Sequence, residues 1–134
     1  TKSHFITALI KKIIDAENAG ENKINLFGTG KPLRQFMYAG DLARTIKLVI
    51  ENDITDSFNV ACTEENSISD IALIALNVLD KDLDLVFDTT KPDGQYRKTA
   101  SNQKMLSVLG EFEFTRLRDG IKKVYNEVLK VYGR

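Results

Sequence analysis

Basic residues in three separate parts of the chain could together bind a diphosphate. Lys12 falls on or beside the polar face of a predicted helix, Arg34 follows a Gly-Thr-Gly-Lys-Pro turn, and Arg97-Lys98 follows a Pro-Asp-Gly turn. Arginine can bind two phosphate oxygens at once and lysine supplies a point charge, so cations from different segments suit a nucleotide-sugar site. Their spacing fits solvated surface charge as well. The residues alone therefore leave both interpretations open.

The Gly28-Thr29-Gly30 sequence is the only GxG of the chain, and it does not fit a dinucleotide-binding turn. Such a turn needs a third glycine and a helix whose N-terminus meets the pyrophosphate. Leu33 stands where the third glycine belongs, and Pro32 and a predicted strand follow where the helix should begin. We therefore expect a hairpin loop between two strands at this point.

A catalytic Tyr-xxx-Lys pair, in which lysine lowers the pKa of a proton-transferring tyrosine one helical turn away, is absent from this sequence. Four residues after the first three tyrosines, Tyr38, Tyr96 and Tyr125, stand Leu42, Ala100 and Leu129. Tyr132 is too near the last residue to begin such a pair. The sequence thus predicts no short-chain reductase catalysis by these residues alone.

Single copies of histidine and cysteine restrict the remaining chemistry. His4 opens a predicted helix and Cys62 follows a predicted strand, so the residues by themselves favour a helix-cap role and a packed apolar role. One histidine and one cysteine cannot build a zinc site from several of either type, nor an internal disulfide. We expect neither hydrolase chemistry nor a metal site.

Composition excludes further classes of function. Nineteen Lys and Arg balance nineteen Asp and Glu, which removes the basic excess of a general nucleic-acid binder. No run approaches the about 18 apolar residues of a membrane span, so we expect no nucleic-acid or membrane partner. The low cysteine content predicts a reducing, cytoplasmic location. With 43% apolar residues, the 134-residue chain is expected to fold as one unit.

Hydrophobic periodicity predicts a mixed α/β fold with short strands and about five helices. Helices are predicted from a Ser3 cap as far as Asn18, from Asp41, from a Ser67 cap, over about 102–109 and from about Thr115. Strands are predicted at residues 23–27, 34–38, 57–61 and 83–88. The polar segment 89–97 lacks periodicity and contains Pro92 and Gly94, which indicates a functional loop.

Several motifs resemble the C-terminal part of the GDP-L-fucose synthase family, within the extended short-chain dehydrogenases/reductases and the NAD-dependent epimerase/dehydratase family. The most specific is the Lys-Pro-Asp-Gly loop with its following basic pair. The resemblance covers nearly the whole chain and rests on Ser3-His4-Phe5-Ile6-Thr7-Ala8-Leu9, residues 27–36, Asp41-Leu42-Ala43, Phe58-Asn59-Val60 and residues 87–102.

The resemblance implies a two-domain parent enzyme, with an N-terminal Rossmann domain for NADPH and a C-terminal domain for the GDP-sugar. The parent would convert GDP-4-keto-6-deoxy-D-mannose to GDP-L-fucose by epimerisation at C3 and C5 and reduction at C4. Residues 1–134 would be the substrate-binding domain, without the Rossmann half. We expect this chain alone to be inactive and not to bind NADP(H), and the full-length enzyme to be a homodimer.

The resemblance also implies roles for individual residues. His4 matches a hinge histidine beside the nicotinamide and the sugar, implicated as an acid in epimerisation, which makes it the catalytic and cofactor-contacting candidate. Phe5 and Leu9 match apolar lining positions. Lys12 and Arg34 match diphosphate-binding positions, although arginine is common where Lys12 stands.

Two further segments carry implied substrate contacts. Phe27 matches an aromatic position, often tryptophan, that packs on the substrate beside Leu26, and both residues could equally be core. Lys98, with Asp93 nearby, matches a loop that closes over the nucleotide. The Phe58-Asn59-Val60 strand tends to join the Rossmann sheet in this family, so we expect self-association of the chain in isolation.

Three alternatives stay open at this point. The chain could be part of another sugar-nucleotide epimerase or dehydratase, which would bind UDP or dTDP in place of GDP. It could be a stand-alone nucleotide-sugar-binding module that never had a catalytic half. It could also be a structural oligomerisation module, which would bind no nucleotide.

Overall fold

The computed structural model describes residues 4–98 and 100–131, with the side chains of His4, Arg97 and Lys98 excepted. Its helices are α1 (His4–Asn18), α2 (Ala39–Glu51), α3 (Ile68–Val78), α4 (Gln103–Leu109) and α5 (Leu117–Val131). Its strands are β1 (Lys23–Phe27), β2 (Leu33–Arg34), β3 (Asn66–Ser67), β4 (Asp84–Asp88) and β5 (Arg97–Lys98). The expected mixed α/β fold with five helices and short strands is confirmed.

The hydrophobic core lies among α1, α3, α5 and strand β1, which pack against one another. Its most deeply buried members include Ile10 and Ile13 of α1, Ile71 of α3 and Ile121 of α5. Burying an aliphatic side chain of this size contributes roughly 1.5–3 kcal/mol relative to leaving it exposed. Sequence periodicity located this core because three of its four elements are amphipathic helices.

Strands β1 and β4 form a two-stranded parallel sheet, with Phe27 in register with Asp88. Along β1, the side chains of Ile24 and Leu26 are buried and those of Asn25 and Phe27 are exposed. Parallel strands end at the same edge of a sheet. The loops after β1 and β4 therefore leave from the same edge, which we call the carboxyl edge.

The structure corrects the expected hairpin at residues 28–32. Strand β1 pairs with β4, whereas β2 lies in a separate three-stranded sheet of order β3-β2-β5. The two glycines allow a positive φ at Gly28 and at Gly30, which turns the chain from one sheet to the other. The predicted strand at 34–38 is reduced to Leu33–Arg34. Local sequence indicated the turn correctly, but not that the two strands it joins lie in different sheets.

Three other predicted elements differ from the structure. Residues 57–61 form no strand in the described chain, since nothing described pairs with them. The last helix begins at Leu117 rather than near Thr115, because Thr115 donates both its N–H and its hydroxyl to Asp41. The predicted loop 89–97 ends in the short strand β5.

Two predicted helix ends are confirmed. The Ser67 hydroxyl accepts a hydrogen bond from the Asp70 amide at 3.0 Å and caps α3. Helix α4 ends at Gly110, whose φ of 79° is typical of glycine.

Helix α2 exposes the apolar stripe that its sequence predicts. Leu42 is 44% exposed, Ile46 51% and Ile50 70%. The opposite side carries the buried Asp41 and Thr45. A stripe of this kind normally faces a core, so α2 presents an apolar face that no described residue covers.

Asp41 joins α2 to the start of α5. Its carboxylate accepts hydrogen bonds from the Thr115 amide and hydroxyl, both at 2.7 Å, and from the Arg44 guanidinium at 3.2 Å. Arg44 also donates to the Glu113 carbonyl and lies over the Phe112 ring. A buried carboxylate is stable here because all of these donors compensate for its desolvation.

Replacing Asp41 by alanine is expected to destabilise the fold by about 2–4 kcal/mol, because Thr115 and Arg44 lose their acceptor. Urea unfolding measures this change, with Asp56→Ala as the control at an exposed aspartate, expected to cost less than about 0.5 kcal/mol. Equal effects of the two substitutions would contradict the role assigned to Asp41.

Candidate functional site

An exposed aromatic ring at the carboxyl edge lies close to two lysines. Phe27, the last residue of β1, is 66% exposed. The Lys12 ammonium lies 5.5 Å from its ring centroid and the Lys91 ammonium lies 5.7 Å from it. Lys12 also donates to the Asn25 carbonyl at 2.7 Å. We call Lys12, Phe27 and Lys91 the Phe27 cluster; its ring and two cations offer a surface for an aromatic, anionic ligand.

Asp93 joins the two loops of the carboxyl edge. Its carboxylate accepts the Thr29 amide at 2.6 Å and the Thr29 hydroxyl at 2.8 Å. At Gly28, whose φ is +85°, an added Cβ would collide with this same carboxylate. Close approach of the loops and the positive φ both require glycine there.

Hydrogen bonds from Thr29 hold the pKa of Asp93 below its ordinary value. The backbone N–H contributes most and the hydroxyl next, with smaller contributions from the nearby charges of Lys31 and Arg34. The charged carboxylate is favoured, since all of these groups stabilise its negative form. Lys31 and Arg34 therefore lie close enough to influence the same loop contact.

Arg34 is brought beside the second basic segment by strand pairing. In the parallel β2–β5 pair, Leu33 is in register with Arg97 and Arg34 with Lys98. The Leu33 amide also donates to the Tyr96 carbonyl at 2.7 Å. The half-buried Arg34 donates to the Leu33 carbonyl at 2.7 Å. Thus the backbones of the two predicted diphosphate-binding segments are adjacent, while the Lys98 side chain lies outside the described residues.

The remaining predicted site residues have different surroundings. His4 is the first residue of α1, and its side chain lies outside the described part of the chain. Phe5 is partly buried and stacks on Phe36, with ring centroids 5.6 Å apart. Leu9 and Leu26 are buried in the core, which favours a supporting role beneath the site. Substrate contact by any of them stays a prediction.

Three residues that the sequence did not single out make contacts between distant segments of the chain. Thr29 joins the loops, and Lys91 completes the Phe27 cluster. The Gln35 amide donates to the Cys62 and Ala100 carbonyls and accepts from the Ala100 amide. Their residue types are common in loops, so only the pairing of distant segments distinguishes them.

The glycine turn at the carboxyl edge does not fit a dinucleotide. The Thr29 amide already donates to Asp93, and the chain continues into β2 rather than into a helix. A pyrophosphate would need those amides and a helix N-terminus. The residues of this turn therefore do not fit the pyrophosphate of NADP(H).

Other kinds of site find no support in the described residues. They contain no cluster of three or more His, Cys, Asp or Glu that could hold a metal ion. None of the described helices has the length and apolar character needed to cross a membrane. A cleft of about 580 Å³ between Arg44 and the first turns of α5 is lined by charges of both signs and by none of the predicted site residues.

Comparison with known proteins first gives a class that part of the chain resembles. Residues 1–61 match the model of the NAD dependent epimerase/dehydratase family. That match includes α1, both strands around the glycine turn and all of α2. The class agrees with the α/β fold and with the resemblance that the motifs indicated.

Individual relatives are more specific. A GDP-L-fucose synthase from Dictyostelium discoideum is 38% identical over 92% of this chain and 39% of its own length. A GDP-L-colitose synthase from Yersinia pseudotuberculosis is 34% identical over 90% of this chain and 40% of its own length. Both alignments extend past α4, well beyond the family-model match.

The fold agrees with a solved structure of the same kind of enzyme. The crystal structure of a GDP-L-fucose synthetase from Naegleria fowleri superposes with a TM-score of 0.85 at 33% identity, covering 96% of this chain and 40% of that one. A second structure of that enzyme is bound to NADP. The resemblance to GDP-L-fucose synthases is thereby confirmed, and the chain spans about two-fifths of the length of the relatives it matches.

The contact between Asp93 and Thr29 predicts a local pH dependence. Because the folded-state pKa of Asp93 is lowered, its stabilising contact is complete above the ordinary aspartate pKa and is lost as the pH falls through the lowered value. The Thr29 amide resonance should therefore titrate with a midpoint below the ordinary aspartate value. Asp93→Asn should abolish this titration; a midpoint at or above the ordinary value would refute the contact.

Proposed function

We propose that residues 1–134 are the GDP-sugar-binding part of a larger enzyme that makes GDP-L-fucose. The enzyme would act on GDP-4-keto-6-deoxy-D-mannose by epimerisation at C3 and C5, followed by NADPH-dependent reduction at C4. The observation that carries the proposal is the carboxyl edge, where an exposed ring and basic side chains meet in a chain of zero net charge. The similarity to GDP-L-fucose synthases at 33–38% identity supports it.

The chemistry of this edge suits a nucleoside diphosphate. The exposed face of Phe27 offers a stacking surface for a base or a sugar. Arg34, with its planar guanidinium, would bind two diphosphate oxygens, and Lys98 on the paired strand would add a point charge. Asp93 would act by joining the loops that carry these cations, since Thr29 donates to both of its oxygens.

The epimerisation and the reduction would need two groups that are not among the described side chains: the His4 imidazole and NADPH. His4 would serve as the acid that returns a proton to the sugar during epimerisation. NADPH would be bound by another part of the enzyme, because the turn at residues 28–30 does not fit a dinucleotide. This chain would then bind and orient the substrate, and by itself it would not catalyse the reaction.

Two structural features support the proposal that more polypeptide completes the molecule. Leu42, Ile46 and Ile50 expose an apolar face on α2. Residues 57–61 run without a strand partner in the described chain. The relatives are about two and a half times as long as this chain. Their additional residues could cover the apolar face of α2 and provide a strand that pairs with residues 57–61. Self-association in isolation, and a homodimer of the whole enzyme, stay predictions.

Calorimetric titration with GDP and, in parallel, UDP tests the proposed function. We expect GDP to bind more tightly than UDP, and Arg34→Ala and Lys98→Ala each to weaken GDP binding by about 5–100-fold, as expected for a lost charge-assisted hydrogen bond. Lys47→Ala, on the exposed side of α2, serves as the matched control and should bind as the wild type does.

Two outcomes would count against the proposal. Equal or tighter binding of UDP would favour another sugar-nucleotide epimerase or dehydratase. Absence of binding by this chain, and again by a chain that also carries a dinucleotide-binding domain, would exclude a nucleotide-sugar site altogether.

A further inference from the structure

We propose that Lys91 is a phosphate-binding residue of the site, and that Lys91 and Lys12 together bind the diphosphate beside the Phe27 ring. This inference rests on the proposed function and deepens it. It names the part of the ligand that the two lysines of the Phe27 cluster recognise: the diphosphate rather than the base or the sugar.

The backbone places Lys91 before any ligand is present. The Asp88 carbonyl accepts the amides of Gly28, at 2.9 Å, and of Lys91, at 3.1 Å. The Asp88 carboxylate also accepts the Thr90 amide at 3.0 Å. One residue at the end of β4 thus fixes both the exit of β1 and the turn that carries Lys91, so that forming the site costs little backbone entropy.

The two lysines reach the same ring from different elements. Lys12 comes from α1, and its bond to the Asn25 carbonyl fixes its position along β1. Lys91 comes from the turn after β4, and its ammonium is at nearly the same distance from the Phe27 centroid as that of Lys12. Neither forms an ion pair with another described residue. Two like charges next to one apolar ring create a local positive potential that an anion would relieve.

The two nearby carboxylates form no ion pair with Lys12 or Lys91. Asp88, at the end of β4, accepts hydrogen bonds from Thr90. Both oxygens of Asp93, in the loop that follows, accept hydrogen bonds from Thr29. The charges that influence it belong to Lys31 and Arg34 rather than to the Phe27 cluster. The cluster is therefore left with two positive charges for a ligand.

The lysine ammonium is a point charge on a flexible side chain. It lacks the rigid pair of donors by which an arginine guanidinium can recognise the edge of a base. Lys91 should accordingly contribute equally to any ligand that contains the diphosphate, whatever its base. The expected signature is a loss of affinity shared by GDP, UDP and inorganic pyrophosphate, with guanosine unaffected. A residue that only supported the loop would weaken all four ligands.

Calorimetric titration of Lys91→Ala with these four ligands tests the inference. We expect its affinity for GDP, UDP and pyrophosphate to fall about 5–20-fold, and a smaller salt dependence of GDP binding than in the wild type. Lys91→Arg should restore most of the affinity. Lys47→Ala is again the control, and unfolding curves for each variant establish that the fold is intact.

The outcomes separate this inference from the proposed function. Unchanged GDP binding by Lys91→Ala, an equal loss for guanosine, or failure of pyrophosphate to bind the wild type would each overturn the role of Lys91. If UDP binds as tightly as GDP while pyrophosphate binding still depends on Lys91, the role of Lys91 stands and the preference for GDP is wrong.

Discussion

Parallel pairing of β1 with β4 is the constraint on which the site depends. It sets Phe27 opposite Asp88 and starts two loops from one edge. The Asp88 carbonyl then accepts the amide of Gly28, the first residue of one loop, and the amide of Lys91, which closes a turn in the other loop. Two adjacent five-residue strands could not be stable alone; α1, packed against β1, anchors the pair to the core. Loss of this register would separate Lys91, which follows β4, from the aromatic ring at the end of β1.

The positive charges of the carboxyl edge are tolerated because solvent screens the exposed lysines and because the Asp93 carboxylate joins the two loops. Lys12 and Lys91 are exposed to solvent, which screens the repulsion between them. Asp93 lies close to the charges of Lys31 and Arg34 and joins the loops through Thr29. Asp41 joins α2 to the start of α5, and no described residue covers the apolar face of that helix.

Local signals predicted the helices well, because amphipathic spacing and the Ser67 cap need no distant partner. Strand pairing was predicted poorly. Residues 57–61 have the composition of a strand, but no described strand pairs with them, and the glycine turn leads to a different sheet. For the site, residue type alone left Lys12 and Arg34 ambiguous, and family resemblance selected them. Lys91 and Thr29 could not be selected from the sequence, since their importance arises from contacts with Phe27 and Asp93, each 64 residues away along the chain.

The central claim is that the loops after β1 and β4 form one nucleotide-sugar site. Backbone amide shifts of the isotopically labelled chain, recorded with and without GDP, test this most directly. We expect the largest changes to fall on residues 27–34 and 88–98, in both loops at the same GDP concentration. Changes confined to the cleft between Arg44 and α5, with both loops unaffected, would contradict it.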